Sequence, residues 1–517
     1  MSSSPFLSEY LTSSVAAFSR FALRIPLRPY QFAVAEAIVH SVLTRLGLSF
    51  VVIFPRQSGK NEVQAHLEAY LLYLLSDQEI EIVSVSPTFK PQALNAMDRL
   101  HRCLERSPLT RDRWRTRAGS SILLDRACVH FFSGSSVAHT VGATASALLS
   151  IDEAQDIRPS IYDHKFAPMA ASTNATRVFW GTPWTSSTLL SREKRQAEYD
   201  QQKDGIQRLW LLTADDVTAV HPLYGDYVAG VIRRFGRTHP LVRTQYFSEE
   251  IDSSSAMFNP SRLARIFPGL GQPPALAGTL PASEPSEGSG DFSSSDNLTA
   301  CAFLLDVAGQ DESRLDFTSE DTPLENPARD STTLSIVGID LSTLPTLSYP
   351  SYRVLHRQAW IGASHLTIFA SLKNLVALWS PQYIVMDATG VGEGLWALLD
   401  KAFPTRVIPV KFTLQSKSEI GWKFLAIIDT GRFMVMEPDE IVRLQYASCL
   451  STILPGPSKT LRWSVPEGTR GPDGQLIHDD FILADSLVAE LDKLKWFIHF
   501  DSLLIPGDDP LERRMEY

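Results

Sequence analysis

The apolar run Phe50–Phe54 leads straight into Pro55-Arg56-Gln57-Ser58-Gly59-Lys60-Asn61-Glu62, and helical spacing follows over Glu62–Leu75. No other stretch constrains the fold as tightly. A strand, a tight loop, Gly-Lys and a helix N-terminus in succession make a cradle for an anion. The backbone N–H groups of Gln57, Ser58, Gly59, Lys60 and Asn61 and the helix dipole face it, and the Lys60 ammonium reaches outer phosphates. The spacing departs from G-x-x-x-x-G-K-[ST]: Phe54 or Pro55 stands where the first Gly belongs, and Asn61 replaces Ser/Thr. By itself the segment equally fits an ordinary strand-to-helix turn.

A second segment gives the first its chemistry. Leu148-Leu149-Ser150-Ile151-Asp152-Glu153-Ala154-Gln155 is an apolar strand ending in two adjacent acids. Like charges repel, so paired carboxylates at a strand end call for a cation or substrate beside them. Asp152 is then placed to hold Mg²⁺, directly or through water. Glu153 is placed to polarise a water for attack on a γ-phosphate. The bland alternative is a solvated strand end. Two further segments fit the same pocket. In Leu27-Arg28-Pro29-Tyr30-Gln31, either Gln31 reads adenine while Tyr30 stacks on it, or the segment is a helix start with a core Tyr. Gly181-Thr182-Pro183 follows the run Arg177–Trp180 and is either a γ-phosphate sensor, through Thr182, or a plain turn.

Short apolar runs (Ile80–Val85, Ala147–Ile151, Arg177–Trp180) alternate with helical patterns through the N-terminal half. That order predicts a mostly parallel sheet with helices on both faces, of the P-loop NTPase type. The C-terminal half has three early strand candidates, Ala300–Asp306, Thr333–Asp340 and Tyr352–Trp360. A helix over about Leu366–Trp379, a strand Tyr383–Asp387 and further helices follow. A three-stranded meander followed by α/β alternation is what a ribonuclease-H-like layer needs.

That half carries its own acids. Asp306 and Asp387 end apolar runs, and His478-Asp479-Asp480 precedes an amphipathic helix over about Phe481–Lys495 with Asp485 one turn inside. Two acids at strand ends and one at a helix start suit two Mg²⁺ ions held by oxygen, stabilising the attacking water and the leaving 3′-oxygen of a phosphodiester. Each acid also has a local alternative, such as an N-cap at Asp479 or Asp480. Asp480 is the preferred third ligand over Asp479 and Asp485. Asp340 ends the presumed second strand and is set aside as a decoy.

Composition limits what else is possible. The 517 residues carry 48 Lys and Arg against 58 Asp and Glu, a formal charge of −10, so coating nucleic acid by bulk positive charge is excluded. Contact with DNA must use local patches. Arg99, Arg102, Arg106, Arg111, Arg113, Arg115 and Arg117 form one, and Arg233, Arg234, Arg237 and Arg243 a weaker one. On an extended segment the last four of the first group share a face. They grip phosphates or supply an arginine finger in trans, or they are simply a solvated basic surface. Cys103, Cys128, Cys301 and Cys449 are far apart, which excludes a disulfide scaffold and fits a reducing cytoplasm. No apolar run is long enough for a membrane helix and no secretory signal opens the chain. Pro268–Leu298 is rich in Pro, Gly, Ser and Ala and reads as a linker or surface insertion, and Gly309–Asp330 as a long loop.

These ordered motifs resemble the large terminase subunit of tailed bacteriophages over nearly the whole chain. Leu27–Gln31, Arg56–Lys60, Ser86-Pro87-Thr88, Gly142-Ala143-Thr144 ahead of Ile151–Gln155, Gly181–Pro183 and Gln245–Glu250 carry the resemblance in the N-terminal half, and Asp306, Asp387 and Asp479/Asp480 in the C-terminal half. It implies an ATPase domain over 1–254, a linker over 255–298, a ribonuclease-H-like nuclease over 299–496 and a tail over 497–517. It implies that Arg56 and Lys60 contact phosphate, that Asp152 serves Mg²⁺ and that Glu153 is the catalytic acid. It also implies metal ligation by Asp306, Asp387 and one of Asp479 and Asp480. Asn61 departs from the family's commoner Ser/Thr. The cofactors would be ATP and Mg²⁺, with Mn²⁺ also supporting the nuclease. The implied activity is packaging of double-stranded DNA with endonucleolytic cutting of concatemers in the host cytoplasm. The implied partners are a portal ring, a small terminase subunit and further copies of the chain in a ring, with no membrane. Two other functions are compatible with the same residues: a helicase-like ATPase fused to a nuclease in repair or defence, and a non-catalytic assembly scaffold. ATPase rates of Lys60→Ala and Glu153→Gln separate the scaffold from the enzymes, and portal-dependent packaging separates the two enzymes.

Overall fold

On the strand Ser49–Ile53 (β1), Phe50 and Val52 contribute to one buried apolar cluster and Val51 and Ile53 to another. A period of two with both sets apolar means a strand covered on both faces. The structure, a computed structural model, describes residues 13–496 apart from 118, 136–142, 252–253, 269–297, 309–330, 437–438, 455, 457 and 473. Gly142, most of the Pro268–Leu298 segment, Gly309–Asp330 and the 497–517 tail therefore lie outside the described residues.

Seven more strands join β1: β2 (Glu81–Ser86), β3 (Trp114–Arg117), β4 (Ser121–Leu124), β5 (Ala127–Ser133), β6 (Leu148–Ile151), β7 (Thr176–Gly181) and β8 (Leu209–Leu211). Their order is β3-β4-β5-β2-β6-β7-β1-β8. Pairing from β5 through β8 is parallel, and β3-β4-β5 is an antiparallel edge. This is the mostly parallel sheet expected from the sequence. The ends of β1, β7 and β6 are neighbours along one edge, where ligands bind in open parallel sheets.

The unit continues to Asn259 and includes a short strand, β9 (Ser254–Ala256). Further along the chain, β10 (Leu298–Asp306), β11 (Ser331–Asp340), β12 (Ser351–Ile361), β13 (Tyr383–Asp387), β14 (Val407–Val410) and β15 (Phe433–Val435) form a second sheet, ordered β14-β13-β10-β11-β12-β15. β10-β11-β12 is an antiparallel meander, and β13 adds parallel to β10. The helices His365–Trp379 and Gly392–Ala402 cover its apolar core, Ile368, Leu372, Leu395 and Leu399 packing with Phe303, Leu305 and Met386. The fold is mixed α/β with a ribonuclease-H-like C-terminal domain.

The chain does not divide into the consecutive blocks expected from the sequence. Among the described residues, those within 1–259, 413–430 and 447–466 make one compact unit, and those within 260–412, 431–446 and 467–517 make the other. The helix Leu414–Asp429 and the hairpin of β16 (Leu450–Ile453) and β17 (Leu461–Ser464) thus fall in the first compact unit, although the helix comes from the second half of the chain. The reason is local pairing: β16 pairs antiparallel with β9, and Trp463 on β17 donates its ring N–H to the Lys417 carbonyl of that helix at 3.0 Å. The expected linker 255–298 also begins with structure, since Pro260–Ile266 is helical. The four cysteines are buried and free. Among the described residues no helix is long and apolar enough to cross a membrane.

Candidate active sites

The loop after β1 is shaped by backbone geometry. Gln57 and Gly59 both have positive φ, 65° and 92°. Only glycine fits at 59, because a Cβ there would also stand 2.4 Å from Gln31 Nε2. The helix Lys60–Leu74 follows with no side-chain N-cap, leaving its first N–H groups turned to the loop. Tyr30 and Gln31 brace this loop. The Tyr30 hydroxyl donates to the Ser58 carbonyl at 2.8 Å, and Gln31 Nε2 donates to the Gly59 carbonyl at 3.2 Å. Gln31 Oε1 accepts the Arg28 N–H at 2.8 Å. Of the two readings the sequence allows for this segment, the geometry is that of a helix start holding the loop, and neither side chain lines the cleft. Ser58 is likewise turned inward, its hydroxyl donating to the Pro55 carbonyl at 2.6 Å.

The cleft beyond the loop has a volume of about 540 Å³. Arg56, Gln57, Gly59, Lys60, Asn61, Glu153 and Thr182 all line it. Lys60 is 8% exposed and donates to Glu153 Oε1 at 2.7 Å. Burial lowers the pKa of such an ammonium, but the charges of Glu153 and Asp152 outweigh it, so Lys60 stays above its usual value. Burial tends to raise Glu153, yet Lys60, Gln155 and Lys459 hold it below the usual carboxylate range. Asp152 is 5% exposed and goes the other way: burial and the Glu153 charge push it up. Two neighbouring acids with opposite shifts fit two different tasks.

Glu153 leaves β6 with φ of 45°, a conformation few non-glycine residues adopt. The turn lets Asp152 Oδ1 accept the Glu153 N–H at 3.0 Å and points Glu153 at Lys60. Gln155 extends the group: its Nε2 donates to Glu153 Oε2 at 2.6 Å, and its Oε1 accepts the Thr182 N–H at 3.3 Å. Thr182 is thereby joined to the acid through one amide. Arg56 is exposed and braced from Gln245, whose Oε1 accepts from Arg56 Nη1 at 3.0 Å. The cleft also holds Arg99, Asp156 and Lys459, to which the sequence reading gave no role here.

In the second unit, the parallel register pairs Leu305 with Met386, which brings Asp306 and Asp387 side by side at the strand ends. Neighbouring strands lie about 4.8 Å apart, so the two carboxylates are close neighbours. Asp387 Oδ1 accepts the Thr389 N–H at 2.7 Å. Opposite Asp306 on β11 is Thr333, whose hydroxyl donates to the Asp480 carbonyl at 3.1 Å. Asp480 is 5% exposed, and its Oδ2 accepts from the Ser331 N–H at 3.0 Å and hydroxyl at 2.6 Å. The fold thus gathers Asp306, Asp387 and Asp480 to one edge of the sheet.

The gathering is incomplete. Among the described residues no three His, Cys, Asp or Glu side chains are grouped closely enough to hold a metal ion. Carboxylates repel unless a cation lies between them, and Asp480 is meanwhile drawn to Ser331. The donor set Asp306 and Asp387, all oxygen and at strand ends, fits a hard divalent cation. Asp479 is the N-cap residue of the helix Asp480–Ser486 without a side-chain capping bond. Asp485 is fully buried, bonded by Arg357 Nη2 at 2.6 Å and the Tyr446 hydroxyl at 2.7 Å. Those contacts tie it to β12 and to the helix Glu440–Ser448. Asp340 pairs with Leu298 at the opposite end of β10 from Asp306.

The arginine group does not form the single face expected from the sequence. Only Trp114–Arg117 is strand, so Arg115 and Arg117 share an exposed face. Arg113 precedes it and is tied to Asp125, Ser76 and the Leu109 carbonyl. Arg99 lines the phosphate-type cleft instead.

Residues 329–447 match the family model described as the terminase RNaseH-like domain. The terminase ATPase subunit of Escherichia phage P2 is 28% identical over 87 residues, 17% of this chain and 15% of that protein. The match thus spans well under two thirds of that relative's length. A large terminase from a thermophilic bacteriophage, also solved with ADP and with ATP-gamma-S, shares 11% identity at a TM-score of 0.44, covering 91% of this chain and 100% of that one. The large terminase of bacteriophage HK97 shares 12% identity at a TM-score of 0.39, covering 93% of this chain and 99% of that one. The matches to the family model and to the phage P2 subunit bear out the resemblance to the large terminase subunits of bacteriophages, and place residues 329–447 with the terminase ribonuclease-H-like domains.

Proposed function

We propose that this chain is a viral DNA-packaging motor with two chemistries. The N-terminal unit hydrolyses ATP to move double-stranded DNA into a prohead, and the ribonuclease-H-like unit cuts concatemeric DNA. The observation that carries the reading is the Lys60–Glu153 contact at 2.7 Å beside buried Asp152, in a chain that also sets Asp306 and Asp387 side by side. With ATP bound, Lys60 would turn from Glu153 to the β- and γ-phosphates. Glu153 Oε1 is then released to take the proton of the attacking water, while Gln155 keeps Oε2 in place and ties it to Thr182. Asp152 would hold Mg²⁺, which offsets phosphate charge. The phage P2 relative, an ATPase subunit by name, supports the choice of nucleotide.

In the nuclease, Asp306, Asp387 and Asp480 would hold the divalent cations that activate water and stabilise the leaving 3′-oxygen. Their all-oxygen donor set supports a hard cation, here Mg²⁺ with Mn²⁺ as substitute. Backbone-directed DNA binding fits the exposed Arg115 and Arg117. We place the protein in the host cytoplasm, with a portal ring, a small terminase subunit and further copies of itself as partners. The test is ATP hydrolysis by Lys60→Ala beside the parent, with plasmid cleavage in Mn²⁺ as the second readout. Loss of hydrolysis with cleavage retained is expected. Equal hydrolysis in both proteins would overturn the motor.

A further inference from the structure

The cleft contains a second lysine that arrives from far along the chain. Lys459 sits in the turn of the β16–β17 hairpin, 303 positions from Asp156, and its ammonium forms an ion pair with the Asp156 carboxylate. The position is built rather than incidental. Lys459 has φ of 48°, and its carbonyl accepts the ring N–H of Trp422 at 3.0 Å. Its ammonium lies 5.0 Å from the centre of the Trp184 ring, two residues beyond Thr182. Both side chains of the ion pair are largely buried, 15% and 6% exposed. The hairpin spends a strained residue and a tryptophan hydrogen bond on delivering one cation to this cleft.

Asp156 and Glu153 belong to the same short turn after β6, so the two ion pairs run in parallel. Lys60 rests on Glu153 and Lys459 rests on Asp156. A magnesium-bound triphosphate brings net negative charge into a space where each lysine already has a carboxylate partner. Resting on the nucleotide reading above, we propose that Lys459 is a ligand of the γ-phosphate, with Asp156 as the partner it leaves when triphosphate binds. It stands on the Glu153 and Thr182 side of the cleft, where the reacting phosphate belongs, so it distinguishes triphosphate from diphosphate. Arg56 also lines the cleft, but it is exposed and held by the neutral amide of Gln245 rather than by an acid that a phosphate could replace.

The experiment is calorimetric titration of the full chain with Mg²⁺–ATP-gamma-S and Mg²⁺–ADP, comparing the parent with Lys459→Ala, Lys459→Arg, Asp156→Asn and Lys60→Ala. Lys459→Ala is expected to weaken triphosphate binding about 10-fold while changing diphosphate binding less than about 3-fold, with partial recovery in Lys459→Arg. Asp156→Asn is expected to leave triphosphate binding unchanged or tighter, because it releases the lysine. A purely structural ion pair gives the opposite result: both partners' variants lose affinity alike and for both nucleotides, which overturns the proposal. If Lys60→Ala binds both nucleotides like the parent, the cleft is not a nucleotide site. The reading beneath the proposal then fails with it, a pattern distinct from failure at Lys459 alone.

Discussion

The two acid sites solve the same electrostatic problem differently. In the cleft after β1, the two carboxylates of the turn after β6 have counter-charges supplied by the chain: Lys60 for Glu153 and Lys459 for Asp156. At the end of β10, Asp306 and Asp387 are neighbours by strand register, and no third acid among the described residues completes a metal cluster. On the function proposed above, the cleft is preassembled and would exchange its internal ion pairs for phosphate contacts. The sheet edge sets two carboxylates side by side, an all-oxygen pair that suits a hard divalent cation. One site is then expected to tolerate metal depletion in its architecture, and the other to depend on metal for its assembly.

The largest effect that sharpens this contrast is at Glu153. Glu153→Gln keeps the shape and the Gln155 contact but removes the base, so ATP turnover should fall about 10³-fold with nucleotide affinity little changed. Next, Asp387→Asn should cost roughly 10³-fold in Mn²⁺-dependent plasmid cleavage, since the cation contributes several kcal/mol of charge stabilisation. ATP hydrolysis should be unaffected, and a parallel loss of hydrolysis would break the separation of the two sites. Third, Arg357→Met leaves Asp485 buried with only the Tyr446 hydroxyl, and should lower unfolding free energy by about 3 kcal/mol in urea. A ligand role for Asp485 would instead show as lost cleavage with stability unchanged.

The smallest effect is a pH slope. Glu68 is 1% exposed, burial pushes its carboxyl up to about 8, and among the described residues its Oε1 has no hydrogen-bond partner. A carboxyl whose folded pKa is raised holds its proton in the folded state and loses it in the unfolded chain. Its stabilising contribution is complete below about pH 4.5 and disappears as pH rises to about 8. Stability should therefore fall by up to about 1.4 kcal/mol per pH unit across that window from this group. Glu68→Gln should flatten that slope in thermal unfolding between about pH 5 and about pH 8.

Local signals made the first cleft readable. A strand, Gly-Lys and a helix lie within a few residues, and the two acids end their own apolar strand. The register of β10 with β13 was equally implicit, because both runs end in Asp with the same apolar periodicity. Long-range partners carry no such signal. Gln245 meets Arg56 across 189 positions and Lys459 meets Asp156 across 303, and nothing in the periodicity of either segment announces it. The expected helix over Phe481–Lys495 is two shorter segments, Asp480–Ser486 and Val488–Leu491, separated at Leu487, an interruption that apolar spacing alone does not register. The assignment of 413–430 and 447–466 to the first unit was also beyond reach, because it rests on a strand pairing between β9 and β16.

Manganese titration of the nucleotide-free protein tests the contrast most directly. With Lys60 and Lys459 occupying the first cleft, Mn²⁺ should bind only at the sheet edge. Calorimetry should therefore give the same isotherm for the parent and Asp152→Asn, and loss of binding in Asp387→Asn. Binding that survives Asp387→Asn and disappears in Asp152→Asn would contradict the account.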